Sequence, residues 1–139
     1  MTMTRYALID TGAIFALSNR RDQHHPAAQK FFREWIARRN GLVLLDWVFI
    51  ESMTLLKARL GATIALQVGQ QLRRNPLYRW VRFQPDDELE VWNVFQKYSD
   101  KAWSYTDCGL WVMSQRSRMT EVFSFDEHFS QMPGIVRLP

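Results

Sequence analysis

The sequence predicts an α/β domain with a mostly parallel central sheet of about five strands that is flanked by helices. Three observations support this prediction. Short apolar runs alternate along the chain with longer segments of helical periodicity, which is the order of strands and helices around a parallel sheet. The composition, with 47% hydrophobic and 23% charged residues, is that of a globular protein. The length of 139 residues suits one domain with its own hydrophobic core, so a single domain over residues 1–139 is expected.

The first part of the chain contains one predicted strand and two predicted helices. Residues 6–9 form an apolar run that ends at Asp10, which is typical of a buried strand leading into a turn. A short helix is expected over residues 13–18, followed by a polar loop. Pro26 suits the first turn of the next helix, which ends before Gly41 and carries an apolar stripe at helical spacing.

The middle of the chain repeats this pattern. Residues 42–45 are predicted to form a second buried strand. Asp46 can cap a helix over residues 47–60, which ends at Gly61. A further helix is expected over residues 62–74.

The last part of the chain continues the alternation. Residues 78–83, in which aromatic and aliphatic side chains flank arginines, are predicted to form a strand. Pro85 opens a helix with acidic residues at its positive end. Ser104 and Asp107 have the spacing of a capping box at the start of a helix that runs to about Arg118. The remaining predicted elements are a strand at 121–124, a helical turn at 126–131 and a strand at 135–138.

Charge and cysteine content limit the partners and the location. The net charge is +4, and the basic residues fall in short clusters such as Arg38-Arg39 and Arg73-Arg74. Such clusters can neutralise phosphates along a nucleic acid, although a solvated surface explains them equally well. The single cysteine, Cys108, cannot form an internal disulfide, and neither a membrane span nor a signal peptide is expected. A cytoplasmic location is therefore predicted.

Four acidic residues lie beside apolar segments of the sequence. Exposure to solvent, the usual reason for an acidic side chain, does not explain their presence there. Asp10 and Asp126 follow predicted strands, and an open α/β sheet binds its ligands at the carboxyl ends of its strands. Asp107 begins a helix, which points to the same edge, and Glu51 lies one turn inside its helix among apolar neighbours. Converging carboxylates repel one another unless a divalent cation neutralises them. We therefore predict a site for Mg²⁺, for which Mn²⁺ can substitute, because hard oxygen ligands suit both ions.

Each of these acids also has an ordinary explanation. Asp10 and Asp126 can cap a helix or a turn, and Asp107 can be only the acid of a capping box. Glu51 can be a surface residue on an amphipathic helix. These explanations treat the residues separately and do not account for their convergence. No Cys/His spacing indicates zinc, and the sequence has neither a glycine-rich nucleotide-binding loop nor a serine-nucleophile elbow.

The acids lie in motifs that follow the order and spacing of a known family. The first motif is an apolar strand followed by Asp10, Thr11 and a small residue, and the second is a helical acid, Glu51. The third acid, Asp107, follows a Ser/Thr pair before a helix. The fourth motif, residues 124–129, has a hydroxyl residue, an acid and a phenylalanine at fixed spacing. In these motifs the whole chain resembles the PIN domains, and specifically the VapC-like toxin nucleases of bacterial toxin–antitoxin systems.

The resemblance implies a metal-dependent endonuclease that cleaves RNA with a metal-activated water. The catalytic residues that it implies are Asp10, Glu51, Asp107 and Asp126. Asp10 and Asp107 would hold the principal Mg²⁺, and Asp126 and Glu51 would complete the site directly or through water. Thr11 and Ser124 would orient carboxylates or phosphate, because Ser124 keeps the hydroxyl of the family's commoner Thr.

The resemblance also implies partners, which are an RNA substrate, a small antitoxin protein that blocks the cleft, and a second copy in a homodimer. Asp100 is an additional acid whose membership in the site is left open. His24 and His25, in a polar loop, are interpreted as a solvated pair or a phosphate contact.

Two other functions remain as alternatives. A catalytically silent PIN-like module could bind RNA or protein, but it would have no reason to retain the mutual repulsion of four acids. A Mg²⁺-dependent phosphatase commonly needs a D-x-D element, and Asp10-Thr11-Gly12 lacks the second aspartate.

Overall fold

Five strands form the sheet of this protein, which we describe over residues 5–139 from a computed structural model. The strands are β1 (Tyr6–Ile9), β2 (Gly41–Leu45), β3 (Tyr78–Val81), β4 (Glu121–Phe123) and β5 (Val136–Leu138). Their order is β3-β2-β1-β4-β5, and each neighbouring pair is parallel. The strands β1 and β4 are therefore neighbours in the sheet although they are far apart in the sequence.

Seven helices flank the sheet within the described residues. They are α1 (Thr11–Ser18), α2 (His25–Ala37), α3 (Asp46–Leu60), α4 (Ala62–Arg74), α5 (Pro85–Lys97), α6 (Tyr105–Ser117) and α7 (His128–Gln131). The predicted fold class, a mostly parallel α/β sheet flanked by helices, is confirmed. None of the helices within residues 5–139 combines the length and the apolar character that crossing a membrane requires.

The junction between β2 and α3 differs from the prediction. Asp46 is the first residue of α3 and Leu45 occupies the N-cap position, so the prediction that Asp46 caps this helix is wrong. The Asp46 carboxylate instead accepts hydrogen bonds from the backbone N–H groups of Trp47 at 3.0 Å and Phe83 at 3.2 Å. Because β2 turns into a helix after Leu45, β3 loses its neighbour and ends at Val81, two residues before its predicted end.

Buried aliphatic and aromatic side chains hold the sheet between its helices. All five residues of β2 are buried, and Leu8 and Ile9 of β1 are 1% and 0% exposed. Val48 and Leu56 of α3 pack into the same core. Fully burying an aliphatic side chain of this size contributes about 1.5–3 kcal/mol, so the strand ends next to the site are firmly anchored.

A close approach at Gly109 fixes α6 against the beginning of α3. The rings of Trp47 and Phe83 stack with centroids 3.8 Å apart, and a Cβ atom on Gly109 would lie 2.9 Å from Phe83 Cζ and 3.0 Å from Trp47 Cε3. The absence of a side chain therefore lets the first half of α6 pack directly on this aromatic pair. That contact brings the beginning of α6 close to α3.

Candidate metal centre

A cavity of about 480 Å³ lies where β1 and β4 end. The acids that line it are Asp10, Glu51, Asp107 and Asp126, joined by Asp22. Asp10 directly follows β1, and Asp126 lies three residues beyond the end of β4. Because these two parallel strands are neighbours, the acids at their carboxyl ends meet at one edge of the sheet. All four acids that the sequence predicted for the site thus share one cavity.

Asp10 both caps helix α1 and lines the cavity. Its Oδ1 accepts a hydrogen bond from the backbone N–H of Ala13 at 2.7 Å, and its Oδ2 accepts one from the Ser124 hydroxyl at 2.6 Å. Burial raises the pKa of Asp10 to about 7, against the lowering effect of these two hydrogen bonds. The charges of Asp107 and Asp126 raise this pKa further. The cap also explains why α1 begins at Thr11, two residues before its predicted start.

Ser124 connects the segments that carry two of the acids. Its side chain is fully buried, and while its hydroxyl donates to Asp10 it accepts a hydrogen bond from the backbone N–H of Asp126 at 2.9 Å. The connection spans 114 positions in the sequence. A single hydroxyl group therefore fixes the end of β1 relative to the loop after β4.

Asp107 is held in place by the predicted capping box of α6. Its Oδ2 accepts a hydrogen bond from the backbone N–H of Ser104 at 2.9 Å, and the Ser104 hydroxyl accepts one from the backbone N–H of Asp107 at 3.0 Å. Burial raises the pKa of Asp107, and the charge of Asp126 adds to this effect. Hydrogen bonds with Ser104 and His128 act in the opposite direction.

Glu51 is the outlying member of the four acids. It is exposed on α3, and its neighbour Ile50 is 61% exposed, so the expectation that Glu51 is embedded among apolar side chains is wrong. The apolar residues that precede it are divided between the core face and the outer face of the helix. Glu51 lines the cavity, but its charge is not among the causes of the raised pKa of Asp10 or Asp107.

His128 is a cavity residue that the sequence analysis did not single out. Its Nδ1 lies 3.2 Å from Asp126 Oδ1 and 3.4 Å from Asp107 Oδ2, and its side chain is 30% exposed. The only signal in the sequence is its position two residues after Asp126. Nothing in that spacing reveals that the imidazole also reaches Asp107 on another helix.

The two histidines of the polar loop have different surroundings. His24 lines the cavity and stacks on Phe125 with ring centroids 4.6 Å apart and ring planes 9° apart. His25 Nδ1 lies 2.7 Å from the carbonyl oxygen of Ala16, a contact that the interpretation as a solvated pair does not include. Asp100 is not part of the cavity wall, and its largely exposed carboxylate lies 3.8 Å from Lys101 Nζ.

The donor groups of the cavity suit a divalent cation. Carboxylate oxygens dominate the wall, and the carboxylates of Asp107 and Asp126 with His128 Nδ1 provide three donor atoms within 4.8 Å of one another. The buried hydroxyl of Thr11 also belongs to the wall, and it has no hydrogen-bond partner among the described residues. Buried polar atoms are nearly always paired, so an unpaired hydroxyl beside clustered carboxylates fits a place for an ion, its waters or a phosphate.

Comparison with known proteins assigns the fold. The sequence model of the family described as PIN domain matches residues 7–135. No curated protein matches the chain. The solved structures similar to this one include the Mycobacterium tuberculosis toxin VapC20, described as cleaving the sarcin–ricin loop. It has a TM-score of 0.81 and 22% identity, and the match covers 94% of this chain and 95% of that one.

Two further solved structures share the fold at lower identity. A toxin–antitoxin complex from Klebsiella pneumoniae matches with a TM-score of 0.65 and 20% identity, over 94% of this chain and 95% of that chain. VapBC2 from Rickettsia felis, bound to a DNA fragment from its promoter, matches with a TM-score of 0.69 and 12% identity, over 97% and 98%. At identities this low, the likeness establishes a common fold.

Proposed function

The chain belongs to the PIN-domain family, and from that premise we propose that it is a metal-dependent endoribonuclease that uses Mg²⁺ or Mn²⁺. The observation that carries the proposal is the meeting of Asp10, Glu51, Asp107 and Asp126 in one cavity. Burial and like charges disfavour ionisation there, as the raised pKa of Asp10 reflects. A bound cation would offset the unfavourable free energy of holding these carboxylates close together. A cluster of acids with a purely structural role would have no such compensation.

The chain's own residues would hold the cation and keep it in place. Asp10, Asp107 and Asp126 would be its ligands, and Glu51 would complete the site from α3 directly or through water. When bound, the cation would lower the pKa of a water molecule to make it a nucleophile and would stabilise charge on the phosphoryl oxygens.

Neighbouring hydroxyl groups would position these ligands. The Ser124 hydroxyl fixes Asp10 Oδ2, and the capping box with Ser104 fixes Asp107 Oδ2. Such restraint keeps the carboxylate oxygens oriented before substrate binds. The unpaired hydroxyl of Thr11 would donate a hydrogen bond to a water molecule or to the phosphate.

The remaining surface supports a polymeric, negatively charged substrate. The chain has a net charge of +4 although the cavity itself is acidic, so the excess positive charge lies outside the cleft. The stacked rings of His24 and Phe125 on the cavity wall offer an aromatic surface for an unpaired base. An RNA with unpaired nucleotides fits these features better than a small phosphorylated metabolite.

We further propose that the protein is the toxin of a toxin–antitoxin pair, with a small antitoxin that occludes the cavity, and that it forms a homodimer. The similarity to VapC20 and to toxin–antitoxin complexes supports this proposal. Helix α5 also exposes Leu89 (62%), Trp92 (49%) and Phe95 (38%), which follow one another at three-residue spacing, and exposed apolar side chains grouped on one helix are typical of protein contacts. Such a protein would act in the cytoplasm, where its RNA substrate is.

Incubation of the purified protein with separate tRNA, mRNA and rRNA pools tests the proposed function. We expect internal cleavage with Mg²⁺ or Mn²⁺ and none in EDTA. Asp107→Asn should lower the cleavage rate by at least about a hundredfold, since even partners of metal ligands contribute 10- to 100-fold. Asp100→Asn is the matched control, because the same chemical change is made outside the cavity, and its rate should equal that of the wild type.

Two results would contradict the proposal. Undiminished cleavage in EDTA would reject the metal mechanism. RNA binding without cleavage of any pool would favour the alternative, a catalytically silent PIN-like module that binds RNA or protein.

A further inference from the structure

We infer that His128 supplies a nitrogen ligand to the proposed metal centre, and that this ligand makes the site favour Mn²⁺ and other transition-metal ions over Mg²⁺. The inference rests on the proposed function, because it assumes that the acidic cavity holds a divalent cation. It goes further by assigning a role to an imidazole that the four-acid site does not include.

The spacing of the donor atoms is the first argument. His128 Nδ1 lies 3.2 Å from Asp126 Oδ1 and 3.4 Å from Asp107 Oδ2. Neighbouring ligands that each lie about 2.0–2.2 Å from one cation are themselves about 2.8–3.6 Å apart, in octahedral or tetrahedral coordination. Both distances from the imidazole nitrogen therefore match the separations of neighbouring ligands that share an ion, and all three donor atoms lie within 4.8 Å of one another.

The anchoring of His128 is the second argument. Its backbone N–H donates to Asp126 Oδ1 at 2.9 Å, and the next residue, Phe129, is fully buried in the core. The beginning of α7 is therefore fixed on the protein, and the imidazole is held beside the two carboxylates.

An unpaired hydroxyl in the cavity wall is independent evidence that the cavity holds a ligand. Thr11 is 7% exposed, and its Oγ1 has no hydrogen-bond partner among the described residues. A salt bridge between a protonated His128 and the two aspartates would neutralise part of the negative charge, but it would leave this hydroxyl without a partner. A hydrated cation in the cavity accounts for both features.

The chemistry of the nitrogen atom sets the ion preference. Mg²⁺ is a hard ion that prefers oxygen ligands, whereas imidazole nitrogen strengthens binding of first-row transition metals in the order of the Irving–Williams series. A site with two carboxylates and one imidazole should therefore discriminate more strongly between Mn²⁺ and Mg²⁺ than the same site without the imidazole.

Electron paramagnetic resonance of bound Mn²⁺ tests the inference without reference to catalysis. Electron spin echo envelope modulation of the wild-type protein should show ¹⁴N coupling from a directly bound nitrogen, and His128→Asn should abolish this coupling. The same substitution should weaken Mn²⁺ binding by about 10-fold or more, and Mg²⁺ binding, measured by competition, by much less.

Two further variants serve as controls. His24→Asn removes the other histidine of the cavity wall and should retain the ¹⁴N coupling. Asp107→Asn should weaken Mn²⁺ binding in either background, which shows that the observed ion is in the cavity. Thermal unfolding of each variant in EDTA verifies that it is folded.

The outcomes separate this inference from the proposed function. Bound Mn²⁺ without ¹⁴N coupling, or an unchanged Mn²⁺ to Mg²⁺ affinity ratio in His128→Asn, would overturn the role of His128 and leave the four-acid site intact. Failure of the wild-type protein to bind Mn²⁺ at all would overturn both.

Discussion

At the scale of single residues, Asp10 shows that a structural role and a proposed catalytic role can share one carboxyl group. Its Oδ1 caps α1 through the N–H of Ala13, and its Oδ2 faces the Ser124 hydroxyl inside the acidic cavity. The interpretation of Asp10 as a helix cap is confirmed, but the same carboxyl group also lines the cavity. The cap fixes the carboxylate at the place where burial and neighbouring acids disfavour its ionisation.

The raised pKa of Asp10 predicts a pH dependence of stability in the metal-free protein. The pKa is 3.8 in the unfolded chain and about 7 in the folded protein. Between these values the folded state binds more protons, so the free energy of unfolding should decrease as the pH rises from about 4 to about 7. Asp10→Asn keeps a cap oxygen and removes this contribution, which amounts to at most about 1.4 kcal/mol per pH unit.

Urea unfolding in EDTA at several pH values measures this effect. The difference in stability between Asp10→Asn and wild type should grow in favour of the variant from pH 4.5 to pH 7, whereas Asp100→Asn should follow the wild type. Parallel curves for Asp10→Asn and wild type would show that Asp10 ionises normally in the folded protein.

The sequence identified four of the five acidic residues that line the cavity, but neither Asp22 nor the imidazole of His128. Asp10, Asp107 and Asp126 stand at strand ends or at a helix start, where local pattern and sheet topology suffice to place a side chain. His128 contacts Asp107 across 21 positions, and no periodicity records a contact of that kind. Glu51 was placed on the correct helix, but its exposure depends on which face of α3 the core covers.

At the scale of secondary-structure elements, the start of α6 and the end of α3 agree with their local signals in the sequence, whereas the end of β3, which depends on a partner strand, does not. The capping box of α6 and the glycine after α3 are local signals, and both helices begin or end accordingly. The end of β3 depends on where β2 stops, which is a property of the neighbouring strand. The predicted strand is therefore too long by the residues that have no partner.

The packing of α6 gives a prediction at this scale. Gly109→Ala should destabilise the protein by about 1–3 kcal/mol, because the added Cβ would meet the stacked rings of Trp47 and Phe83 at 2.9–3.1 Å. Gly69→Ala is the matched control in α4, since there the added Cβ would meet only the flexible end of Met53. The control should be neutral or stabilising by up to about 1 kcal/mol, through the higher helix propensity of alanine.

Chemical denaturation of both variants measures this difference in stability. A Gly109→Ala protein as stable as Gly69→Ala would mean that the aromatic pair can move aside, and that it does not fix the position of α6.

At the scale of the whole molecule, strand order builds the cavity. The order β3-β2-β1-β4-β5 makes β1 and β4 neighbours, so the acids that follow them meet although more than 100 positions separate them. Alternation of strands and helices is enough to predict a parallel sheet from the sequence. The order of the strands is set by long-range packing, which a single sequence does not reveal.

The charge of the whole molecule and the charge of the cavity have opposite signs. A net charge of +4 coexists with a cavity lined by five acids, so the protein as a whole attracts a polyanion and the cleft alone repels it. A divalent cation in the cleft reverses that local repulsion. The proposed function therefore depends on one property of the molecule, which is that its acids together bind such an ion.

Thermal unfolding with EDTA, Mg²⁺ or Mn²⁺ tests that property most directly, with wild type, Asp107→Asn and Asp100→Asn compared side by side. A cation that binds only the folded protein should stabilise wild type and Asp100→Asn by about 2.7 kcal/mol at a hundredfold excess over its Kd. For a chain of this size the midpoint should rise by roughly 8 °C. Asp107→Asn should lose most of this response. A wild-type protein that unfolds at the same temperature in EDTA, Mg²⁺ and Mn²⁺ would contradict the shared metal site.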